Sequence, residues 1–153
     1  MHRNVKTVVD AAAAKGLSID VRSFPEGTKT AVDAANAIGV DVGQIVKSLV
    51  FLVDDQPTMA LVAGDRRLDE KRFSAACGGG KVRRADADAV RAATSFPIGG
   101  VPPLGHDLPI YVDESLLRFD EVWAAAGTWT DVFAIAPDDL VRVTGGHVCA
   151  IGE

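Results

Sequence analysis

The run QIVKSLVFLV, Gln44 to Val53, followed after a DDQP spacer by TMALVA, Thr58 to Ala63, limits this chain more than any other segment. Both runs are dense in Val, Leu, Ile, Phe and Met, and the spacer has the composition of a turn. The pair reads as a β-hairpin with apolar faces that other elements must cover. Lys47 sits inside the first run. An ammonium in an apolar strand loses about 3–5 pKa units if it is fully buried. The fold must give it a carboxylate, let its stem snorkel to water, or use the amine in chemistry.

Around the hairpin, the pattern alternates. Val5, Val8, Val9, Ala12 and Ala13 recur at helical spacing up to Gly16, predicting a helix over 4–15, with a short strand at 18–23. PEGTKTAVDAANAIGV offers Thr28 or Thr30 as N-cap of a helix ending at Gly39. Residues 68–76 read as helix, GGGKVRR as a glycine loop into a short strand, and ADADAVRAAT as a helix capped by Asp86 or Asp88. SFPIGGVPPLGHDLP, with three glycines and four prolines, is a shaped loop. Further strands are expected at 110–112, 120–126, 132–135 and 147–151, with PDDLVRVT a turn or short helical piece starting at Pro137. The sum is an α+β fold: a single domain, 1–153, with a mixed, mainly antiparallel, barrel-like sheet flanked by helices. Residues 1–27 form an N-terminal helix-and-strand extension to it.

Composition narrows the function classes. The chain is 48% hydrophobic and 24% charged, an ordinary globular balance. No apolar run approaches the ~18 residues of a membrane span, and the N-terminus lacks a signal-peptide pattern, so a cytoplasmic protein is expected. Cys77 and Cys149 form no CxxC pair, and His2, His106 and His147 no HxxxH or HExxH pair, which argues against a metal site. Gly78 to Gly80 lack the GxGxxG pattern of a dinucleotide site, and no cofactor is expected. The net charge of −5 opposes nonspecific nucleic-acid binding, yet the segment from Arg66 to Arg84 is strongly basic and the C-terminal third acidic. That segment is either a solvated face or a phosphate-contacting patch, for which Arg66, Arg67, Arg83 and Arg84 are the candidates.

Taken in order, TAVDAANAIGV, QIVKSLVF, ALVAGDRRLD, SFPIGGVPPLGH, and YVDESLL followed by VWAAAG resemble the YbaK/EbsC family of aminoacyl-tRNA editing domains, associated with prolyl-tRNA synthetases. The resemblance runs from about Thr28 to the C-terminus. It implies a free-standing deacylase that hydrolyses, in trans, the ester of a mischarged tRNA bearing cysteine, alanine or a similar small amino acid, with tRNA(Pro) foremost. The implied partners are the acceptor end of that tRNA and, transiently, an aminoacyl-tRNA synthetase; no membrane is involved. The family's central lysine falls on Lys47, its G-D pair on Gly64 and Asp65, its glycine–proline loop on Gly99, Gly100 and Pro102, and its D-E-S-L segment on Asp113 to Leu116. Hydrolysis in the family is substrate-assisted, the terminal ribose 2′-hydroxyl helping to activate water.

Ester hydrolysis needs donors aimed at a developing oxyanion, and a glycine loop lets backbone N–H groups approach closely. Gly99, Gly100 and Val101 are assigned that role. Lys47 is read as positioning the terminal adenosine, since general-base action would require a strongly lowered pKa. Thr30, Gly64, Asp65, Pro102, Asp113 and His147 are expected to shape the substrate site. Bland readings stand beside these: a salt bridge from Lys47 to Asp65, a tight connection at Gly99 to Pro103, a turn cap at Asp113, and a surface or core role for His147. Two other functions remain open at this point. One is a non-catalytic RNA-binding or adaptor module; the other is an enzyme using Lys47 as an amine nucleophile on a small carbonyl compound.

Overall fold

The hairpin forms from two eight-residue strands, β2 (Val46–Val53) and β3 (Gln56–Ala63), in the computed structural model, which describes residues 1–153. Its turn is tighter than the spacer suggested. Only Asp54 and Asp55 lie between the strands, with φ of 47° and 64°. Two consecutive positive φ angles fit the type I′ turn, whose twist matches that of the strands, and aspartate tolerates this region better than most residues. Pro57 is thereby drawn into β3, opposite Leu52. Its missing N–H is harmless there because β5 (Ile110–Asp113) pairs with β3 only from Met59 onward.

The hairpin is the middle of a five-stranded sheet, ordered β4-β2-β3-β5-β8, completed by β4 (Val82–Arg84) and β8 (His147–Cys149). The β4-β2 and β2-β3 pairs are antiparallel, the β3-β5 and β5-β8 pairs parallel. A second, antiparallel sheet has the order β1-β7-β6, from β1 (Val21–Ser23), β6 (Val122–Ala125) and β7 (Asp131–Ile135). The two sheets touch where Ile45, just before β2, bridges Trp123 of β6. The result is the mixed, mainly antiparallel α+β fold expected, curled but not a closed barrel.

Five helices cover the sheets: α1 (Arg3–Ala14), α2 (Ala31–Ile38), α3 (Glu70–Ala76), α4 (Ala87–Thr94) and α5 (Pro137–Thr144). Their ends follow local chemistry. The Thr30 hydroxyl accepts from Asp33 N, Asp69 and Asp86 cap α3 and α4, and Gly39 and Gly145 end α2 and α5 in left-handed conformation. PDDLVRVT is a full helix rather than a turn, because Leu140 and Val143 on one face enter the core while Pro137 starts it. The strand expected over 18–23 shortens to Val21–Ser23, the only residues that pair with β7.

Val8 and Ala12 of α1, Val46 and Val50 of β2, Met59 and Leu61 of β3, Val90 of α4 and Leu140 of α5 share one core. The N-terminal helix is thus built into the same interior as the hairpin. Phe51, Phe73 and Ile151 pack on the other side beneath α3, and Ala34, Ala35, Ile45, Trp123 and Val132 make a smaller cluster under α2. No helix is long and apolar enough to cross a membrane.

Candidate functional site

The edge of β2 away from β3 is only partly covered. β4 pairs with it over Phe51–Val53, and β6 is bridged to it only just before its start, at Ile45. Between them Val46 to Leu49 pair with no strand on that side, although β6 passes close by, and there a cavity of about 270 Å³ opens. An uncovered strand edge presents unpaired backbone groups, which a ligand can satisfy. The other walls come from distant segments: Thr28 to Ala31 leading into α2, Arg84 and Ala85 at the end of β4, Ile98, Gly99 and Val101 of the glycine–proline loop, and Trp123 to Ala125 of β6.

Lys47 lines this cavity. Its ammonium donates to the carbonyl of Arg66. Burial pushes its pKa down; Asp65 opposes that shift, while Arg84 and Arg67 reinforce it. No ion pair joins Lys47 to Asp65. Arg118 takes that carboxylate with two N–H···O bonds of 2.8 and 3.2 Å, holding its pKa below the ordinary range.

The glycine–proline loop is held at close quarters. Gly99 has φ of 84°, and a Cβ there would come 2.7 Å from Lys29 Cγ. A Cβ on Gly100 would meet the Thr128 backbone at 2.9 Å, so both positions need glycine. The Gly100 amide donates to Pro97 O at 2.9 Å, whereas those of Gly99 and Val101 have no partner within the chain. Pro102 is fully buried behind the cavity, and its carbonyl is held by His106 Nε2 at 2.9 Å. Burial pushes the His106 pKa down.

The cavity therefore gathers Lys47, Thr30, Gly99, Val101 and Arg84 from the expected residues. Others lie outside it. Gly64 packs beneath the turn at Val42, where a Cβ would sit 2.2 Å from a carbonyl oxygen. Asp113 is buried and accepts from the amides of Ser115, Ile151 and Gly152. His147 is exposed, its ring edge-on to Tyr111. Arg83 pairs with Asp55 at 2.9 Å, Arg66 Nε lies 3.8 Å from Asp65, and Arg67 exchanges backbone hydrogen bonds with Glu153.

Sequence reasoning passed over Thr28, Lys29, Ser48 and Trp123, all in the cavity wall. Ser48 Oγ and Trp123 Nε1 are buried with no partner in the protein. Such orphans call for an explanation. The one signal in the sequence was adjacency: Ser48 follows Lys47 on an edge that nothing in the local pattern marks as open.

Comparison with known proteins finds relatives for the chain as a whole. Residues 25–143 match the family model of the aminoacyl-tRNA editing domain. The chain is 37% identical over 124 residues to the uncharacterised protein YwhH of Bacillus subtilis (strain 168), covering 79% of this chain and 78% of that one. It is 26% identical to EbsC of Enterococcus faecalis, named as a candidate Cys-tRNA(Pro)/Cys-tRNA(Cys) deacylase, over 84% of this chain and 80% of that one. A proline–tRNA ligase of Desulfovibrio desulfuricans is 29% identical over 80% of this chain, which spans only 24% of the ligase. Among solved structures, a candidate trans-editing enzyme for prolyl-tRNA synthetase superposes with a TM-score of 0.93 at 42% identity, over 100% of this chain and 99% of that one.

Proposed function

Because the chain belongs to the aminoacyl-tRNA editing domain family, we propose that it is a cytoplasmic deacylase acting in trans on mischarged tRNA, with cysteine, alanine or a similar small amino acid on tRNA(Pro) as the leading substrate. One observation carries this reading: Lys47, Thr30, Gly99 and Val101, far apart in sequence, meet in one cavity beside an uncovered strand edge. Synthetases discriminate one methylene by only about 1–3 kcal/mol, so a second site that destroys errors has a use.

The terminal adenosine enters from the side of Lys47 and Arg84, whose cationic heads hold its phosphate or ribose. The aminoacyl side chain lies toward Ala31, Ala34, Ile45 and Val132, an apolar end suited to small groups. Ser48 Oγ and Trp123 Nε1 offer hydrogen bonds to polar atoms of the ester or the amino acid. Water attacks the ester carbonyl carbon, and the carbonyl electron pair moves onto oxygen. The free amides of Gly99 and Val101 donate to that oxyanion. The ribose 2′-hydroxyl relays the proton lost by water. Collapse of the intermediate breaks the bond to the 3′ oxygen, which takes up the proton, leaving free amino acid and uncharged tRNA. Lys47 acts as a positioning cation, since its ammonium is already hydrogen-bonded to Arg66 O.

The test is a panel of tRNAs charged with alanine, cysteine, serine and proline, incubated with pure protein and followed for loss of the aminoacyl ester. Rapid loss from one or a few mischarged tRNAs, with the correctly charged one spared, is the expected result. Binding of tRNA without turnover on any of them would make the chain an adaptor, with a synthetase as its transient partner.

A further inference from the structure

A second concavity, of about 380 Å³, is lined by Arg3 and Asn4 at the start of α1, Arg91 and Ser95 at the end of α4, and Thr128 and Trp129 before β7. It shares a wall with the main cavity. Lys29, a main-cavity residue, holds Nζ 4.1 Å from the centroid of the Trp129 ring. Trp129 Nε1 donates to the carbonyl of Ile98, another main-cavity residue, at 2.8 Å.

Trp129 is 47% exposed, whereas Trp123 is 5% exposed. A large ring left in water yet pinned by its own N–H is a platform with its position set in advance. The charges around it are unspent. Arg3 and Arg91 are exposed, and neither is among the six ion pairs of the chain. The neighbouring carboxylate, Asp131, is occupied by the hydroxyls of Ser23, Thr128 and Thr130. Asn4 Nδ2 donates to Gly127 O at 2.9 Å, which fixes the start of α1, and hence Arg3, against the Trp129 loop.

We propose that this concavity binds the unpaired nucleotide preceding the terminal adenosine of the tRNA, its base stacked on Trp129 and its phosphate held by Arg3 and Arg91. The inference rests on the editing reading of the main cavity. A single strand leaving that cavity presents a phosphate and then a base, and an indole flanked by free guanidinium groups is the chemistry that holds such a strand. Stacking accepts any base, so the site adds affinity for the strand and none for the amino acid.

The experiment uses two probes on the full chain: a single-stranded RNA ending in CCA, uncharged, for binding, and a 3′-aminoacyl-adenosine, which lacks the preceding nucleotide, for turnover. Trp129→Ala should weaken RNA binding roughly 5- to 150-fold, the usual range for one stacked base. Trp129→Phe should restore most of it. Arg3→Gln and Arg91→Gln should each lower the salt slope of log affinity, by about 0.7 in total when combined, the share of the one phosphate they hold. All four variants should hydrolyse the aminoacyl-adenosine at the parental rate. Parental RNA binding and salt slope in the variants would overturn the site while leaving the deacylase reading intact. Equal weakness of the Phe and Ala variants, or loss of turnover on the aminoacyl-adenosine, would show that Trp129 merely braces Ile98 and the loop. RNA binding that depends on Trp129 in a protein that hydrolyses no ester would support the site and sink the deacylase reading.

Discussion

Lys47 and Asp113 are both charged residues in apolar strands of one sheet, separated by β3, and their surroundings are opposite. Asp113, 2% exposed, receives three backbone amides, from Ser115, Ile151 and Gly152, at 3.2, 2.9 and 2.7 Å. Burial alone would raise its pKa; the hydrogen bonds from Ser115, Ile151 and Gly152 outweigh it and hold the pKa down. Around Lys47 burial wins. Asp65 attracts it, but Arg118 has already claimed Asp65, and Arg84 and Arg67 add repulsion. A charge satisfied wholly by its own chain ties that chain together. A charge left under-compensated at the lip of a cavity is poised for a partner from outside.

The comparison is sharpest at Lys47. Lys47→Met keeps the stem and removes the cation that positions the adenosine, so ester hydrolysis should fall by about 100-fold, the cost of a misplaced substrate. The thermal midpoint should hold or rise, since an uncompensated charge leaves the interior. The pH dependence follows from the lowered pKa. Between the folded value and the unfolded value of about 10.4, the unfolded chain binds more protons, so stability rises with pH across that window, and the Met variant loses this rise. Over the same window the enzymatic rate, corrected for spontaneous ester hydrolysis, should decline as the ammonium is lost. Parental turnover in the Met variant, or a melting loss that accounts for the missing activity, would break the comparison on this side.

Asp113→Ala tests the other side. Three amides lose a charged acceptor, and chemical denaturation should show a loss of about 3 kcal/mol, while turnover per folded molecule stays near parental. Asp113→Asn, which keeps one acceptor oxygen, should lose less. With a folded pKa below the unfolded value, the contribution of Asp113 is complete above about pH 4 and disappears as pH falls through the lowered pKa, so the parent and the Ala variant should converge in acid. A fall in turnover with unchanged stability would return Asp113 to the substrate site.

Local rules made much of this fold legible. The hairpin, the Thr30 and Asp86 caps and the Gly39 stop depend on neighbours in sequence, and each formed. The site was legible where it coincides with an oddity of composition: a lysine among aliphatics, or two glycines ahead of two prolines. Lys29, Ser48 and Trp123 carry no such mark, because what makes them part of the cavity is the gap between β4 and β6 along the edge of β2. That gap is a property of strand pairing at long range. Gly64 shows the reverse case, a motif residue outside the cavity lining that packs closely against Val42. Gly64→Ala drives a Cβ against Val42 O, and a cost of about 1–3 kcal/mol, with Lys47 chemistry preserved in the folded fraction, is expected from denaturation and activity measured together.

The smallest effect expected separates two neighbours that composition treats alike. Arg83 and Arg84 both belong to the basic segment, but Arg83 is committed to Asp55 and Arg84 lines the cavity with no ion-pair partner. A surface pair of this kind is worth little to stability, yet it removes much of the net field that a phosphate would feel. Successive β-strand residues point to opposite faces, so adjacent arginines on β4 cannot both address the same ligand. Arg84→Gln should therefore lower the salt slope of tRNA binding by about 0.7–0.9, the share of one phosphate contact, and Arg83→Gln by less than half of that. Binding measured over a range of potassium chloride concentrations decides it. Equal losses would mean that both arginines act as diffuse positive charge, and that pairing within the chain does not distinguish the charges that hold this protein together from those that meet its substrate.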